Sequence, residues 1–168
     1  MELLAPAGSR QALTAAVQSG ADAVYLGGPQ FGARYSAENF TIEEMKTWVD
    51  YCHLYGVDVH VTVNTLVKEK EIESLKEYLK QLNEIGVDAL IVQDMGAVEI
   101  IKKTVPDMTL HASTQMTVTS LEGVKYLEDM GFSRVVLARE LSEKEIEHIC
   151  KNAKAEIEVF VHGAICMC

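Results

Sequence analysis

A short repeat recurs four times along the chain and strongly restricts the folds open to it. Each copy begins with a glycine and continues into an apolar, largely β-branched run; the copies are Gly20–Gly27, Gly56–Asn64, Gly86–Asp94 and Gly131–Arg139. A glycine that follows a helix can adopt the left-handed conformation that ends it. A nearly continuous apolar run is typical of a strand buried on both faces of a parallel sheet. The repeat therefore predicts alternating helices and strands.

The complete pattern contains seven strands separated by amphipathic helices. The predicted strands are Glu2–Pro6, Ala23–Leu26, Val57–Val63, Ala89–Val92, Thr109–Ala112, Arg134–Ala138 and Ile157–Val161. The predicted helices begin at Thr41 or cover Lys68–Ile85, Met95–Lys103, Leu121–Met130 and Ser142–Cys150. Thr41 with Glu44, and Ser142 with Glu145, have the spacing of a capping box, which marks the start of a helix.

Strict alternation of strands and helices is compatible with a doubly wound sheet or with a TIM-type (β/α) barrel. Seven units in 168 residues give about 24 residues per unit, which suits the barrel. The Gly-x-Gly-x-x-Gly motif of dinucleotide-binding sheets does not follow the first strand. We therefore predict an α/β fold, an incomplete TIM-type (β/α) barrel of about seven parallel strands.

Composition limits the classes of function. With 15 basic and 25 acidic residues the formal net charge is −10, which argues against a general nucleic-acid-binding domain. The sequence contains no apolar run long enough to span a membrane and begins without the basic segment of a secretory leader. We therefore expect a cytoplasmic protein with reduced cysteines and no membrane partner, in which Cys52 and Cys150 are small buried residues of helices.

Polar side chains follow six of the seven predicted strands, at the end of a barrel where active sites lie. The candidate acid–base residues are His111, His162, Asp94 and Glu140. The candidate substrate-binding residues are Arg34, Asn64, Gln93, Ser113, Gln115 and Arg139. The two arginines favour a ligand with a carboxylate or phosphate group.

Several of these residues also have a structural interpretation. Asp94 could cap the helix that begins at Met95, Glu140 could pair with Arg139, and His111 could be a core imidazole. Neither a Gly-x-Ser-x-Gly nor a His-Glu-x-x-His motif is present. Cys166 could act as a nucleophile with a histidine or as a ligand of a metal cluster.

Four segments resemble peptidase family U32, also called the collagenase-like proteases. Glu2–Gly8, Gly20–Gly27 and Val61–Asn64 are similar to the opening of that family, and Glu158–Cys166 is similar to the first half of its signature. The family pattern continues with a further cysteine, which Cys168 does not match. We therefore expect residues 1–168 to be the N-terminal portion of a U32-like (β/α) barrel, truncated just after the start of the signature.

The resemblance implies two enzymatic functions for the longer protein. One is a cysteine- or metal-dependent peptidase that cleaves collagen-like or other peptides. The other is an iron–sulfur-dependent, oxygen-independent hydroxylation enzyme, acting on tRNA or rRNA pyrimidines with prephenate as co-substrate, or on ubiquinone precursors. We favour hydroxylation, because no nucleophile–base pair has a recognisable spacing and Cys166 would begin the cysteine set of a 4Fe-4S cluster.

A non-catalytic binding barrel is the third alternative. The expected partners are an RNA or peptide substrate, bound by the full-length parent, and a second copy or a related family member that covers the sheet edges. Because the cluster site would be incomplete, we expect this piece by itself to be catalytically inactive.

Overall fold

The four repeat glycines each follow a helix and precede a strand, as predicted. The computed structural model describes residues 1–33 and 40–163, and in it Gly20, Gly56, Gly86 and Gly131 have φ values of 86°, 70°, 82° and 82°. A β-carbon is strained in this left-handed region, so glycine is the residue that suits it. The predicted alternation is confirmed: in the residues that the structure describes, seven strands are separated by six α-helices.

The chain divides into two compact units, of which the first is Met1–Thr109. Its strands are β1 (Leu4–Pro6), β2 (Ala23–Gly27), β3 (Asp58–Val63) and β4 (Ala89–Val92), and its helices are α1 (Arg10–Gln18), α2 (Ile42–Leu54), α3 (Ile72–Glu84) and α4 (Met95–Thr104). These four strands pair in parallel in sequence order, with Val24 opposite Val59 and Val61 opposite Leu90. A 3-10 turn, Glu69–Glu71, precedes α3.

The second unit is Leu110–Cys168. β5 (Thr109–Ala112) begins one residue before this unit, and the elements that follow it are α5 (Leu121–Asp129), β6 (Arg134–Val136), α6 (Glu143–Asn152) and β7 (Glu156–Glu158). β6 pairs in parallel with both β5 and β7, and the register aligns His111, Arg134 and Glu156 across the three strands. A 3-10 turn, Thr114–Met116, follows β5.

The core of each unit lies where the apolar strands meet the apolar faces of the helices. In the first unit the fully buried side chains include Leu26 of β2, Met45 of α2, Leu79 of α3 and Leu90 of β4. In the second unit Val135 of β6 and Ile149 of α6 are buried. None of the helices within residues 1–33 and 40–163 has the length and apolar character needed to cross a bilayer.

Both predicted capping boxes are confirmed. The Thr41 hydroxyl accepts a hydrogen bond from the Glu44 N–H at 3.2 Å, and the Glu44 carboxylate accepts one from the Thr41 N–H at 2.9 Å. At the start of α6 the second box is formed through its Glu145 half: the Glu145 carboxylate accepts hydrogen bonds from the Ser142 N–H at 2.7 Å and from the Ser142 hydroxyl at 2.6 Å. Because these contacts lie within four residues of sequence, the local pattern is sufficient to specify them.

Two expectations need correction. Cys150, expected to be buried, is exposed, because Ile149 faces the core and the next residue lies about 100° further around the helix. The last strand, expected over Ile157–Val161, is Glu156–Glu158, and Val159–Val161 lie beyond it with exposed side chains. Cys52, by contrast, is fully buried as predicted.

Candidate functional site

Asn64 and Gln93, which follow β3 and β4, connect three loops of the first unit. The Asn64 Oδ1 atom accepts a hydrogen bond from the Ala33 N–H at 3.0 Å, which reaches the loop after β2. The Gln93 side-chain amide donates to the Asn64 carbonyl oxygen at 2.7 Å. The Gln93 side chain thus contacts the Asn64 backbone at the carboxyl ends of neighbouring strands. The role of both residues in substrate binding stays a prediction.

Asp94 has the capping role that its position allows. Its Oδ1 atom accepts a hydrogen bond from the Ala97 N–H at 3.0 Å, at the start of α4. Its Oδ2 atom accepts one from the Val67 N–H at 2.9 Å, in the loop after β3. Both oxygens therefore bind backbone donors, and an acid–base role would have to coexist with these contacts.

In the second unit, His111 and Ser113 both lie at the end of β5 and are buried. The Ser113 hydroxyl donates to the Gln115 Oε1 atom at 3.4 Å and accepts from the Gln115 N–H at 3.3 Å. Ser113 and Gln115 are therefore brought together. The hydroxyl bonds to an amide side chain, whereas a serine nucleophile bonds to an imidazole.

Arg139, Glu140 and His162 follow β6 and β7 and have exposed side chains. The guanidinium carbon of Arg139 lies 4.3 Å from the ring centroid of Phe160, a cation–π contact. Phe160 is not among the predicted site residues. A large aromatic residue in the segment that ends a predicted strand, two positions before His162, was the signal available.

A second arginine of this unit is enclosed by carboxylates. Arg134, on β6, is buried, and its Nε and Nη2 atoms lie 2.9 and 2.5 Å from the Oε2 atom of Glu156. Its Nη1 atom lies 3.7 Å from the Glu158 carboxylate. A buried guanidinium requires such pairing because desolvation of an isolated charge is costly. Arg139 is therefore the more accessible of the two arginines for an anionic ligand.

Two predicted site residues, Arg34 and Cys166, lie outside the described residues, as does Cys168. Within the ranges that the structure describes, no group of three or more histidine, cysteine or acidic residues could hold a metal ion. Of the described cysteines, Cys52 is buried and Cys150 exposed. These residues do not form a site for an iron–sulfur cluster, and the predicted ligand role of Cys166 stays a prediction.

Comparisons with a family model and with individual relatives agree on one protein family. Residues 8–168 match the model of peptidase family U32. The chain is 44% identical over 167 residues to the 23S rRNA 5-hydroxycytidine C2501 synthase of Escherichia coli (strain K12), covering 99% of this chain and 25% of that protein. It is 40% identical over 166 residues to the tRNA hydroxylation protein P1 of Bacillus subtilis (strain 168), covering 99% and 39%. The chain thus spans about a quarter to two fifths of these relatives.

Comparison of structures supports the fold class. The solved structure of a U32 peptidase superposes with a TM-score of 0.77 at 20% sequence identity, over 95% of this chain and 68% of that one. At this identity the likeness concerns the fold. The predicted class, an incomplete TIM-type (β/α) barrel of seven parallel strands alternating with helices, is confirmed.

Proposed function

Since the chain belongs to peptidase family U32, we propose that it forms part of an enzyme that hydroxylates pyrimidine bases of tRNA or rRNA. One observation carries this proposal: two relatives that match 99% of the chain at 44% and 40% identity are RNA hydroxylation proteins. The activity, substrates and partners of the whole protein are proposals, because the chain covers a minor part of each relative.

The candidate hydroxyl of the described residues does not have the contact that a serine peptidase requires. Ser113 is the one hydroxyl among the candidate site residues, and its partner is Gln115. Asp94 is hydrogen-bonded to backbone N–H groups through both oxygens. Since a serine peptidase needs a base that contacts its nucleophile, this hydroxyl is a poor candidate for peptide cleavage.

Each unit carries polar side chains of the kinds that bind a polar, partly anionic substrate. Arg139 would bind a phosphate or carboxylate group through its N–H edge. Asn64 and Gln93 are amides with both donor and acceptor atoms, which suits hydrogen bonding to a base or sugar. His111, His162 and Glu140 are the candidates for moving a proton at the substrate. With a net charge of −10, the chain would rely on such local contacts.

The proposal includes a 4Fe-4S cluster and prephenate as co-substrate. When bound, a cluster would supply electron transfer, with Cys166 as one ligand. Arg34 and Arg139 would pair with the carboxylates of prephenate. The described residues do not form a cluster site, so the cluster and the co-substrate are proposed from the family alone.

The decisive experiment compares nucleosides from total tRNA and rRNA of the parent strain and a strain lacking the gene. Mass spectrometry should show the loss of a pyrimidine nucleoside that is heavier by one oxygen. Return of the gene should restore it, return of a Cys166→Ala gene should not, and return of a Tyr126→Phe gene should, because Tyr126 is an exposed residue outside the candidate site.

Unchanged nucleosides in the deletion strain would contradict the proposal. A peptide library cleaved by the intact protein, with cleavage lost in Cys166→Ala, would support the peptidase alternative. For the cluster, anaerobic purification of the intact protein should give a brown sample with the visible absorbance of iron–sulfur centres. A colourless, iron-free sample after reconstitution would contradict it.

A further inference from the structure

Arg139 and Phe160 form an exposed, two-layered surface at the carboxyl ends of β6 and β7. The guanidinium carbon lies over the ring at 4.3 Å from its centroid. Phe160 keeps 38% of its surface exposed, and Arg139 is also exposed. Gly163 borders both groups: a β-carbon there would lie 3.8 Å from the Arg139 Nη2 atom and 4.0 Å from the Phe160 ring.

The chemistry of this surface suits a flat aromatic ligand. A guanidinium is planar and more weakly hydrated than an ammonium, so its face can be covered at small desolvation cost. Contact with the Phe160 ring already orders the arginine side chain, which reduces the entropy lost on binding. Unstacked nucleic-acid bases are held by such aromatic rings and arginine planes.

The charge of the chain favours stacking over phosphate attraction. A formal charge of −10 disfavours an extended basic track for the RNA backbone. Stacking acts over a few ångströms and does not require a positive field. An enzyme that modifies a base acts on a single strand or takes the base out of the helical stack, and either route leaves the base free to stack on the protein.

We propose that Arg139 and Phe160 form a platform on which the unstacked target pyrimidine of the RNA substrate stacks. This inference rests on the proposed function and adds a base-binding surface to it. The guanidinium face opposite the Phe160 ring would contact the base. Phe160 would act by positioning Arg139 and by extending the apolar surface.

The test measures base-dependent RNA affinity with the intact protein. The probe is a fluorescent RNA hairpin with a single cytidine in an otherwise purine loop, paired with the same hairpin carrying an abasic site at that position. Fluorescence anisotropy gives the ratio of the two dissociation constants. The variants are Phe160→Leu, Arg139→Lys and Phe160→Tyr, with Tyr126→Leu as the matched control, because Tyr126 is an exposed aromatic residue on α5.

We expect the wild-type protein to bind the cytidine hairpin about tenfold more tightly than the abasic one, as one stacked base contributes. The ratio should fall close to one in Phe160→Leu and in Arg139→Lys, which keeps the charge without the plane. It should stay near tenfold in Phe160→Tyr and Tyr126→Leu. Circular dichroism checks that each variant is folded. If Phe160→Leu does not fold, the ratio measured with Arg139→Lys tests the proposal.

The outcomes separate this inference from the proposed function. A wild-type ratio near one, or a tenfold ratio that persists in Phe160→Leu or in Arg139→Lys, would overturn the joint platform while leaving RNA hydroxylation intact. Failure of the wild-type protein to bind either hairpin would contradict the platform, whereas RNA hydroxylation is decided separately by the nucleoside comparison.

Discussion

The Oδ2 atom of Asp88 lies 2.8 Å from the Nε2 atom of His53 and also accepts a hydrogen bond from the Val59 N–H at 2.7 Å. Asp88 follows the repeat glycine Gly86 by two residues. Asp22, two residues after the repeat glycine Gly20, makes the corresponding contact with the Leu3 N–H at 2.7 Å. In these two copies of the repeat, the aspartate thus binds a backbone N–H at or beside the start of the preceding strand.

The two partners of Asp88 should contribute unequally to stability. Because the His53 and Asp88 side chains are 39% and 32% exposed, their pair resembles a surface ion pair, and His53→Ala should cost less than about 1 kcal/mol. Asp88→Ala also leaves the part-buried Val59 N–H unsatisfied and should cost about 1–2 kcal/mol more. Urea denaturation measures the free energy of unfolding of both variants. A loss in His53→Ala equal to or larger than that in Asp88→Ala would contradict the larger role given to the Asp88–Val59 hydrogen bond.

The Tyr78 hydroxyl is buried against Gly28 and has no hydrogen-bond partner in the part of the chain that the structure describes. A β-carbon on Gly28 would lie 1.8 Å from the Tyr78 oxygen and 3.3 Å from the Met45 sulfur. Gly28→Ala should therefore destabilise the protein by about 1–3 kcal/mol. Tyr78→Phe should be neutral or stabilising, because it removes an unsatisfied buried hydroxyl.

Thermal and urea denaturation of the two single variants and the double variant test this packing. The double variant should recover part of the loss caused by Gly28→Ala, since the closest atom is then absent. Tyr126→Phe is the matched control on an exposed tyrosine and should leave stability unchanged. Strictly additive effects of Gly28→Ala and Tyr78→Phe would contradict direct contact between these positions.

Burial of the Tyr78 ring raises the pKa of its hydroxyl well above the ordinary value of 10.0. The folded state then holds this proton more tightly than the unfolded state. This difference in proton affinity between the two states leaves stability unchanged below about pH 10. Above that pH the unfolded state loses the proton first, so the free energy of unfolding falls. Wild-type stability should fall more steeply than that of Tyr78→Phe between about pH 10 and 11 in urea titrations, and parallel curves would contradict the prediction.

Local interactions explain why much of the fold could be predicted. The positive φ of Gly56 and the capping box of Thr41 with Glu44 depend on a few adjacent residues. The long apolar runs likewise specify β3 and β4. Such features need no knowledge of distant contacts, and their positions agree with the predicted ones to within one or two residues.

Contacts distant in sequence explain what could not be predicted. Arg134 is separated from Glu156 by 22 positions, and only the strand register shows that these charges meet. The Arg139–Phe160 contact likewise depends on how two loops follow their strands. The end of β7 was misplaced because Val159–Val161 are apolar, and apolar character alone does not establish a hydrogen-bonded strand.

Asp94 can be tested for its structural contribution independently of any reaction. Asp94→Ala removes the acceptors of the Ala97 and Val67 N–H groups, which are part-buried, and should cost about 2–3 kcal/mol. Asp94→Asn keeps one amide oxygen as acceptor and should cost less. Asp107→Ala, at an exposed position in the turn after α4, is the control. If Asp94→Ala changed the free energy of unfolding by less than about 0.5 kcal/mol on urea denaturation, the two backbone contacts of Asp94 would not contribute to stability as expected.

Cys52 and Cys150 should differ strongly in reactivity. Burial, with a smaller effect of the Asp88 charge, raises the pKa of the Cys52 thiol from 9.0 to about 11, whereas Cys150 is exposed on α6. Since the thiolate is the reactive form, iodoacetamide at pH 8 should alkylate Cys150 first. Peptide mass spectrometry measures the alkylation of each cysteine separately. Cys52 should react only after urea unfolds the protein.

The same shift makes stability depend on pH through Cys52. Its folded pKa is raised, so its contribution is complete below about pH 9 and is lost as the pH rises towards about 11. Cys52→Ala should therefore give a flatter decline in the free energy of unfolding over this range than the wild-type protein. Cys150→Ala should match the wild-type slope. Prompt alkylation of Cys52 in the folded protein, or equal slopes in all three proteins, would contradict burial of this thiol.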